Sequence, residues 1–202
     1  MPLTVGEAKG CCHVAYDGVS NERYRFPAGD IWSVVDHWAT SITGFKAVLL
    51  RSDRHLVLSF AGTDSIMDAL VDLAQVGGSV PPQYPQALAL TMAARSVARG
   101  RVLQLAGHSL GGGLAAYCSV STGLTATTVN PAPLIGAATL GSLAENAQVT
   151  NYIAQGGEVV SSSPGRNPGT DIYVPSTGGT FGFFTDHMLA NVAPAVPLPV
   201  ML

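Results

Sequence analysis

The chain has 202 residues, enough to bury one good core and cramped for two domains. With 47% hydrophobic and only 11% charged residues, it lies far from the charge-rich composition of disordered chains. Ten Lys and Arg against thirteen Asp and Glu leave a formal net charge of -3, so there is no basic footprint for nucleic acid and no electrostatic pull toward an anionic membrane.

The amino-terminal stretch MPLTVGEAKGCC lacks a basic region followed by an apolar core, which predicts cytoplasmic residence or export by a route that needs no signal peptide. Cys11, Cys12 and Cys118 cannot all pair, and sequence neighbours are poor disulfide partners, so free, partly buried thiols are expected. The apolar runs 47–50 and 56–60, separated by the polar turn 51–55, predict a β-hairpin. In DSIMDALVDLAQ, Asp64, Asp68 and Asp72 fall on one helical face while Ile66, Leu70 and Leu73 occupy another. YPQALALTMAARSVAR reads as a second amphipathic helix, entered through Pro85 and stopped by Gly100, with Thr91, Arg95 and Arg99 on its polar stripe.

RVLQLAG is β-like and is followed by the small, apolar helix GGGLAAYCSVST, suited to burial against a sheet. LTATTVNPAPL, rich in Thr and Val, ends as a strand at Pro131, and VTNYIAQGG and TDIYVPS follow as further strands. No apolar run reaches the roughly 18 residues of a membrane span. The tail MLANVAPAVPLPVML carries three prolines and reads as an extended segment packed on the domain. Strands alternating with helices predict an α/β class with a mostly parallel sheet, flanking helices and an antiparallel hairpin near the amino terminus. A single domain over 1–202 is expected.

Within this pattern, Gly107-His108-Ser109-Leu110-Gly111 is a G-x-S-x-G sequence between a strand and a helix. The context matters, because the serine of such an elbow sits on a strained turn whose flanking glycines let backbones approach without Cβ clashes. Ser109 is therefore the candidate nucleophile. The amide N–H of Leu110, at the amino end of the following helix, is a candidate donor to an oxyanion. The bland alternative is a glycine-rich turn without chemistry.

GHSLGGGLAAY, preceded by VLSFAGTDSIMDALVDL and followed by VNPAPL, resembles the class 3 lipases, a branch of the α/β-hydrolase fold. The resemblance runs in order from about Val57 to Met188. It implies a compact α/β-hydrolase-type sheet and hydrolysis of acyl esters through an acyl-enzyme. In the family, the residue after the glycine of an F-R-G-[ST] turn supplies the second oxyanion donor; Phe60-Ala61-Gly62-Thr63 matches, so Thr63 inherits that role and Ala61 replaces the frequent arginine. The segment 64–80 falls where the family carries its lid, here short, with Ile66 and Leu70 as apolar contacts for substrate. Phe181, Phe183 and Phe184 are candidate acyl-pocket walls, with Phe183 foremost, and equally good core residues.

The α/β-hydrolase order of serine, acid, histidine requires the base to follow Ser109. Of His13, His37, His55, His108 and His187, only His187 does. Four carboxylates follow the serine: Glu145, Glu158, Asp171 and Asp186. Glu145 lies in a helix-like polar stretch, and Asp186 adjoins His187, where side chains diverge. The family acid follows the strand after the NPAP region, which points to Glu158, although class 3 lipases carry Asp there. Asp171 is the rival.

These residues predict a serine carboxylic-ester hydrolase without cofactor or metal. Triglycerides or simple carboxyl esters are the leading substrates, phospholipids in a phospholipase A1-type reaction the alternative, and an inactive binding module on the same fold the second alternative. Expected partners are an acyl ester or lipid and a transient lipid surface. Sequence is silent on oligomeric state.

Overall fold

Side chains between Lys46 and Phe60 alternate between two apolar faces, and both faces become buried. In the computed structural model, which describes residues 1–62, 80–156, 158–177 and 187–202, they form β3 (Lys46–Arg51) and β4 (Leu56–Phe60), paired antiparallel as the hairpin pattern predicts. From β4 the sheet continues in parallel through β5 (Leu103–Ser109), β6 (Ala126–Pro131), β7 (Val149–Ala154) and β8 (Thr170–Val174). On its other side the hairpin extends antiparallel through β2 (Ile31–Ala39) and β1 (Arg23–Arg25) to β9 (Val200–Met201). The order among the described residues is β8-β7-β6-β5-β4-β3-β2-β1-β9.

Helices cover both faces. The helix α1 (Val5–Asp17) lies on one, over an apolar cluster that includes Val48, Leu50, Val57, Ala106 and Val129. On the other, α2 (Gln83–Ser96) and α3 (Leu110–Thr122) pack against Leu49, Leu58, Phe60, Leu103 and Leu105. Consecutive residues of β3 and β4 thus face different helices, which is why these strands read as nearly continuous apolar runs.

Three expectations change. Thr91 is buried rather than on a polar stripe: α2 turns Tyr84, Ala87, Thr91 and Ala94 inward, and the Thr91 hydroxyl donates to the Ala87 carbonyl at 2.8 Å. Small residues along that face allow close packing on α3, while Val97 stays exposed. The carboxyl tail is not merely extended, because β9 pairs Val200 and Met201 with Arg25 and Tyr24 at the sheet edge. The three cysteines are free and fully buried, and burial pushes the Cys12 thiol up to about 12. The expected lid lies outside the described residues apart from Val80, which packs on the α2/α3 side of the core.

Three elements, α1, β1 and β2, have no counterpart in the sequence patterns. In β2 a register shift between Val34 and Asp36 breaks the alternation. In α1 eight of the thirteen residues are buried and only Asp17 is exposed, so no polar stripe marks it. Its start does carry a capping box, Thr4 with Glu7, in which the side chains and backbone amides bond reciprocally.

Among the buried residues of α1 is Lys9, 1% exposed, whose ammonium donates to the carbonyls of Val192 at 2.7 Å and Val196 at 2.8 Å. The cation thus fastens α1 to the segment that follows His187. Burial lowers its pKa. Lys9→Met keeps much of the volume and leaves those carbonyls without their donor. It is expected to cost about 2–4 kcal/mol in urea unfolding, and an unchanged midpoint would contradict this account.

Candidate active site

The carboxyl ends of the parallel strands converge on one edge of the sheet, where open α/β sheets place their ligands. Ser109 ends β5 with φ 57° and ψ -128°, a conformation that costs a residue with a Cβ. It is 3% exposed and precedes α3, yet its hydroxyl makes no capping bond to the helix. The oxygen is therefore not committed to stabilising the helix end, the usual work of a serine at that position.

Glycines make the elbow sterically feasible. A Cβ on Gly107 would lie 2.0 Å from the Gly111 carbonyl oxygen, and one on Gly111 would lie 2.2 Å from that of Phe60. The turn leaving β4 is thereby pressed onto the start of α3. A Cβ on Gly62 would meet the Ser109 Cβ at 2.9 Å, so this turn borders the serine directly.

Beyond β7 the chain folds back at Glu158, which is buried. Its Oε1 accepts from the Val160 N–H and its Oε2 from the Ser161 N–H, both at 2.8 Å. The same Oε1 lies 2.7 Å from Nδ1 of His187, which is 0% exposed. A carboxylate only accepts, so Nδ1 carries the proton and the neutral ring presents a lone pair at Nε2. That nitrogen is buried and has no hydrogen-bond partner among the described residues. A buried imidazole held by a carboxylate, with its second nitrogen unused, can take a proton from a neighbouring hydroxyl.

Two further residues hold His187 by its backbone. Its carbonyl accepts from Asn130 Nδ2 at 3.2 Å and lies 2.7 Å from His108 Nε2. The His108 and His187 ring centroids are 4.8 Å apart, which brings His187 beside the elbow. Among the described residues, no group of three or more His, Cys, Asp or Glu side chains is placed to hold a metal ion.

Residues 28–162 match the family described as Phospholipase-like, Tle-like phospholipase domain. The chain belongs to that family. The extracellular phospholipase A1 of Serratia liquefaciens is 44% identical over 90 residues, 45% of this chain and 28% of that protein. This Tle-like domain thus matches less than a third of that relative's length. Among solved structures, a triacylglycerol lipase from Penicillium expansum superposes with a TM-score of 0.59 at 18% identity, covering 87% of this chain and 79% of that one. The Rhizomucor miehei lipase in its propeptide complex gives 0.63 at 17%, covering 92% and 78%. At such identities the likeness is one of fold, and it is the α/β-hydrolase-type fold of fungal lipases that the class 3 resemblance implies.

Of the residues singled out in sequence, the Tle-like domain brings Ser109, Leu110, Glu158 and His187 to this edge. Asp171 is elsewhere engaged: it lies on the edge strand β8 and accepts from Asn151 Nδ2 at 2.8 Å. Glu145 is exposed in the 3₁₀ turn Gly141–Asn146. Thr63, Ile66, Leu70, Phe181, Phe183, Phe184 and Asp186 lie outside the described residues. Sequence reasoning missed Tyr16, His108 and Asn130. The position before the elbow serine was a signal for His108, and the strand end before Pro131 one for Asn130; Tyr16 had none.

In this Tle-like domain, His108 is expected to make the fold sensitive to acid. Burial, and then the charge of His187, lower its pKa from 6.5 to about 3, although the bond to the His187 carbonyl favours the proton. The folded ring stays neutral where the unfolded one would take up a proton. Stability is therefore full above about pH 6.5 and falls as pH drops toward about 3, by up to about 1.4 kcal/mol per pH unit. Urea midpoints at pH 7 and pH 5 should differ more for the native chain than for His108→Gln. Equal slopes would show that His108 does not carry the effect.

Proposed function

We propose that the chain is a serine hydrolase that cleaves acyl esters of phospholipids through an acyl-enzyme. The observation that carries this reading is the buried Glu158–His187 pair, its outer nitrogen unused, next to the strained serine of the elbow. His187 Nε2 accepts the Ser109 proton as the oxygen attacks the acyl carbonyl, and Glu158 stabilises the resulting imidazolium. The Leu110 amide, at the positive end of α3, and Thr63 hold the tetrahedral oxyanion. Collapse expels the alcohol, which takes the proton from His187. Water, deprotonated by the same ring, then releases the fatty acid and restores the serine.

Phospholipid is favoured over triglyceride by the family and by the similarity to a phospholipase A1; the fungal lipases share the fold at 18% identity or less. In this reading the 64–80 segment, with Ile66 and Leu70, and Phe183 contribute the apolar contacts for the acyl chain. The site of a single domain over 1–202 meets lipid at a transient surface contact.

The test compares fatty-acid release from phosphatidylcholine vesicles with release from a trioleoylglycerol emulsion. Turnover of vesicles and covalent labelling of Ser109 by a fluorophosphonate are the expected results. Turnover of the emulsion alone would return the substrate to triglyceride. An unlabelled Ser109 in folded protein would sink the serine mechanism and leave the inactive binding module.

A further inference from the structure

We propose that Tyr16 and His108 are positioning residues that tie the oxyanion turn to the backbone of the base, so that the two parts of the site are held in one frame. The inference rests on the serine-hydrolase reading above. It begins from one atom, the carbonyl oxygen of His187, which can only accept.

His108 Nε2 lies 2.7 Å from that oxygen, so Nε2 carries the proton and donates. In the neutral ring Nδ1 is then a lone pair, and the Tyr16 hydroxyl, 2.7 Å away, donates to it. With its proton so used, the Tyr16 oxygen accepts from the Gly62 N–H at 3.2 Å. Direction is thereby set along the whole chain of bonds from the turn to the base. Asn130 adds a second donor to the same carbonyl, and its own side-chain oxygen accepts from the Ala154 N–H at 2.8 Å.

The chain of bonds joins parts that come from distant places in sequence. Tyr16 belongs to α1, Gly62 precedes Thr63 at the end of β4, and His108 precedes Ser109. Gly62 has no room for a side chain, since a Cβ there would fall 2.7 Å from the Tyr16 oxygen. The Gly62 N–H is occupied by Tyr16, so this amide is not offered to an oxyanion. Burial keeps His108 neutral, so its donor and acceptor sides are not exchanged or lost when His187 becomes positive during the reaction.

Tyr16→Phe removes the hydroxyl, so the Gly62 N–H loses its acceptor and His108 Nδ1 its donor, and the turn is no longer tied to the ring that holds the His187 backbone. The expected result is a fall of about tenfold or more in kcat and in the rate of fluorophosphonate labelling, with KM changed less than about twofold. His108→Gln keeps a donor near the Nε2 position and is expected to label faster than His108→Leu, which has none. Imidazole ¹H–¹⁵N spectra of the unliganded full chain should show the Nε2–H form of His108.

Equal labelling by the native chain and folded Tyr16→Phe would overturn the inference, as would an Nδ1–H form of His108 in the native chain. A native chain that shows the expected tautomer but no labelling would instead overturn the serine-hydrolase reading, and the positioning role with it.

Discussion

Glu158→Ala is expected to lower kcat by about 10³-fold to 10⁴-fold, because His187 loses the group that sets its tautomer and stabilises its positive form. The same substitution is expected to cost about 3–5 kcal/mol of stability, since one carboxylate accepts from the Val160 and Ser161 amides and from His187, and all three donors are buried around it. Glu158→Asp separates the two effects. Its shorter arm cannot keep both backbone amides and still reach His187, so activity should suffer even where the fold survives. Asp171→Ala is the control: its partner is Asn151, and vesicle hydrolysis should remain within about twofold of the native chain. Loss of activity in Asp171→Ala with retention in Glu158→Ala would move the acid to β8.

Ser109→Ala is expected to abolish fluorophosphonate labelling and to reduce fatty-acid release by about 10⁴-fold or more. The residual rate would come from the oxyanion donors and binding alone. Stability should hardly change, because the serine hydroxyl caps nothing and alanine keeps the same strained backbone. Ser109→Gly should be equally inactive yet more stable by about 1–3 kcal/mol, because glycine adopts φ 57°, ψ -128° without a Cβ penalty. A glycine variant no more stable than the alanine variant would show that the elbow stores no strain.

The two substitutions differ in what they disturb. Ser109 is poised by strain and its hydroxyl does not cap α3, whereas Glu158 is bonded into the fold as well as into the candidate site. Ser109→Gly and Glu158→Ala are expected to shift stability in opposite directions, and the pair therefore checks the geometry independently of turnover.

How much of this was legible in sequence follows from which interactions are local. The strands β3 to β8 and the helix α3 announce themselves through short-range patterns: apolar alternation, β-branched runs, and glycines where a strand turns into a helix. Ser109 was legible because the G-x-S-x-G spacing records a local steric requirement, the approach of Gly107 to Gly111. His187 was legible because chain order leaves no other histidine after the serine. The helix α1 was not, because burial on almost every side removes the polar stripe that reveals an amphipathic helix. Thr91 was misplaced for a related reason, since a hydroxyl that donates to its own helix needs no solvent.

The contacts of the candidate acid and of the supporting frame were decided only by tertiary structure. Glu158 and Asp171 are both carboxylates near strand ends, and only the family resemblance, not the residues around them, favours Glu158 in sequence. What separates them is that the turn after β7 points Glu158 inward at a ring 29 positions away, while β8 leaves Asp171 beside Asn151. Likewise Tyr16 meets His108 across 92 positions, a contact with no local signature. The sequence by itself determined the elbow, the candidate base and the parallel strands, because each is set by spacing or order along the chain. Which carboxylate faces the base, and which side chains hold the base and the oxyanion turn together, depended on how distant segments pack.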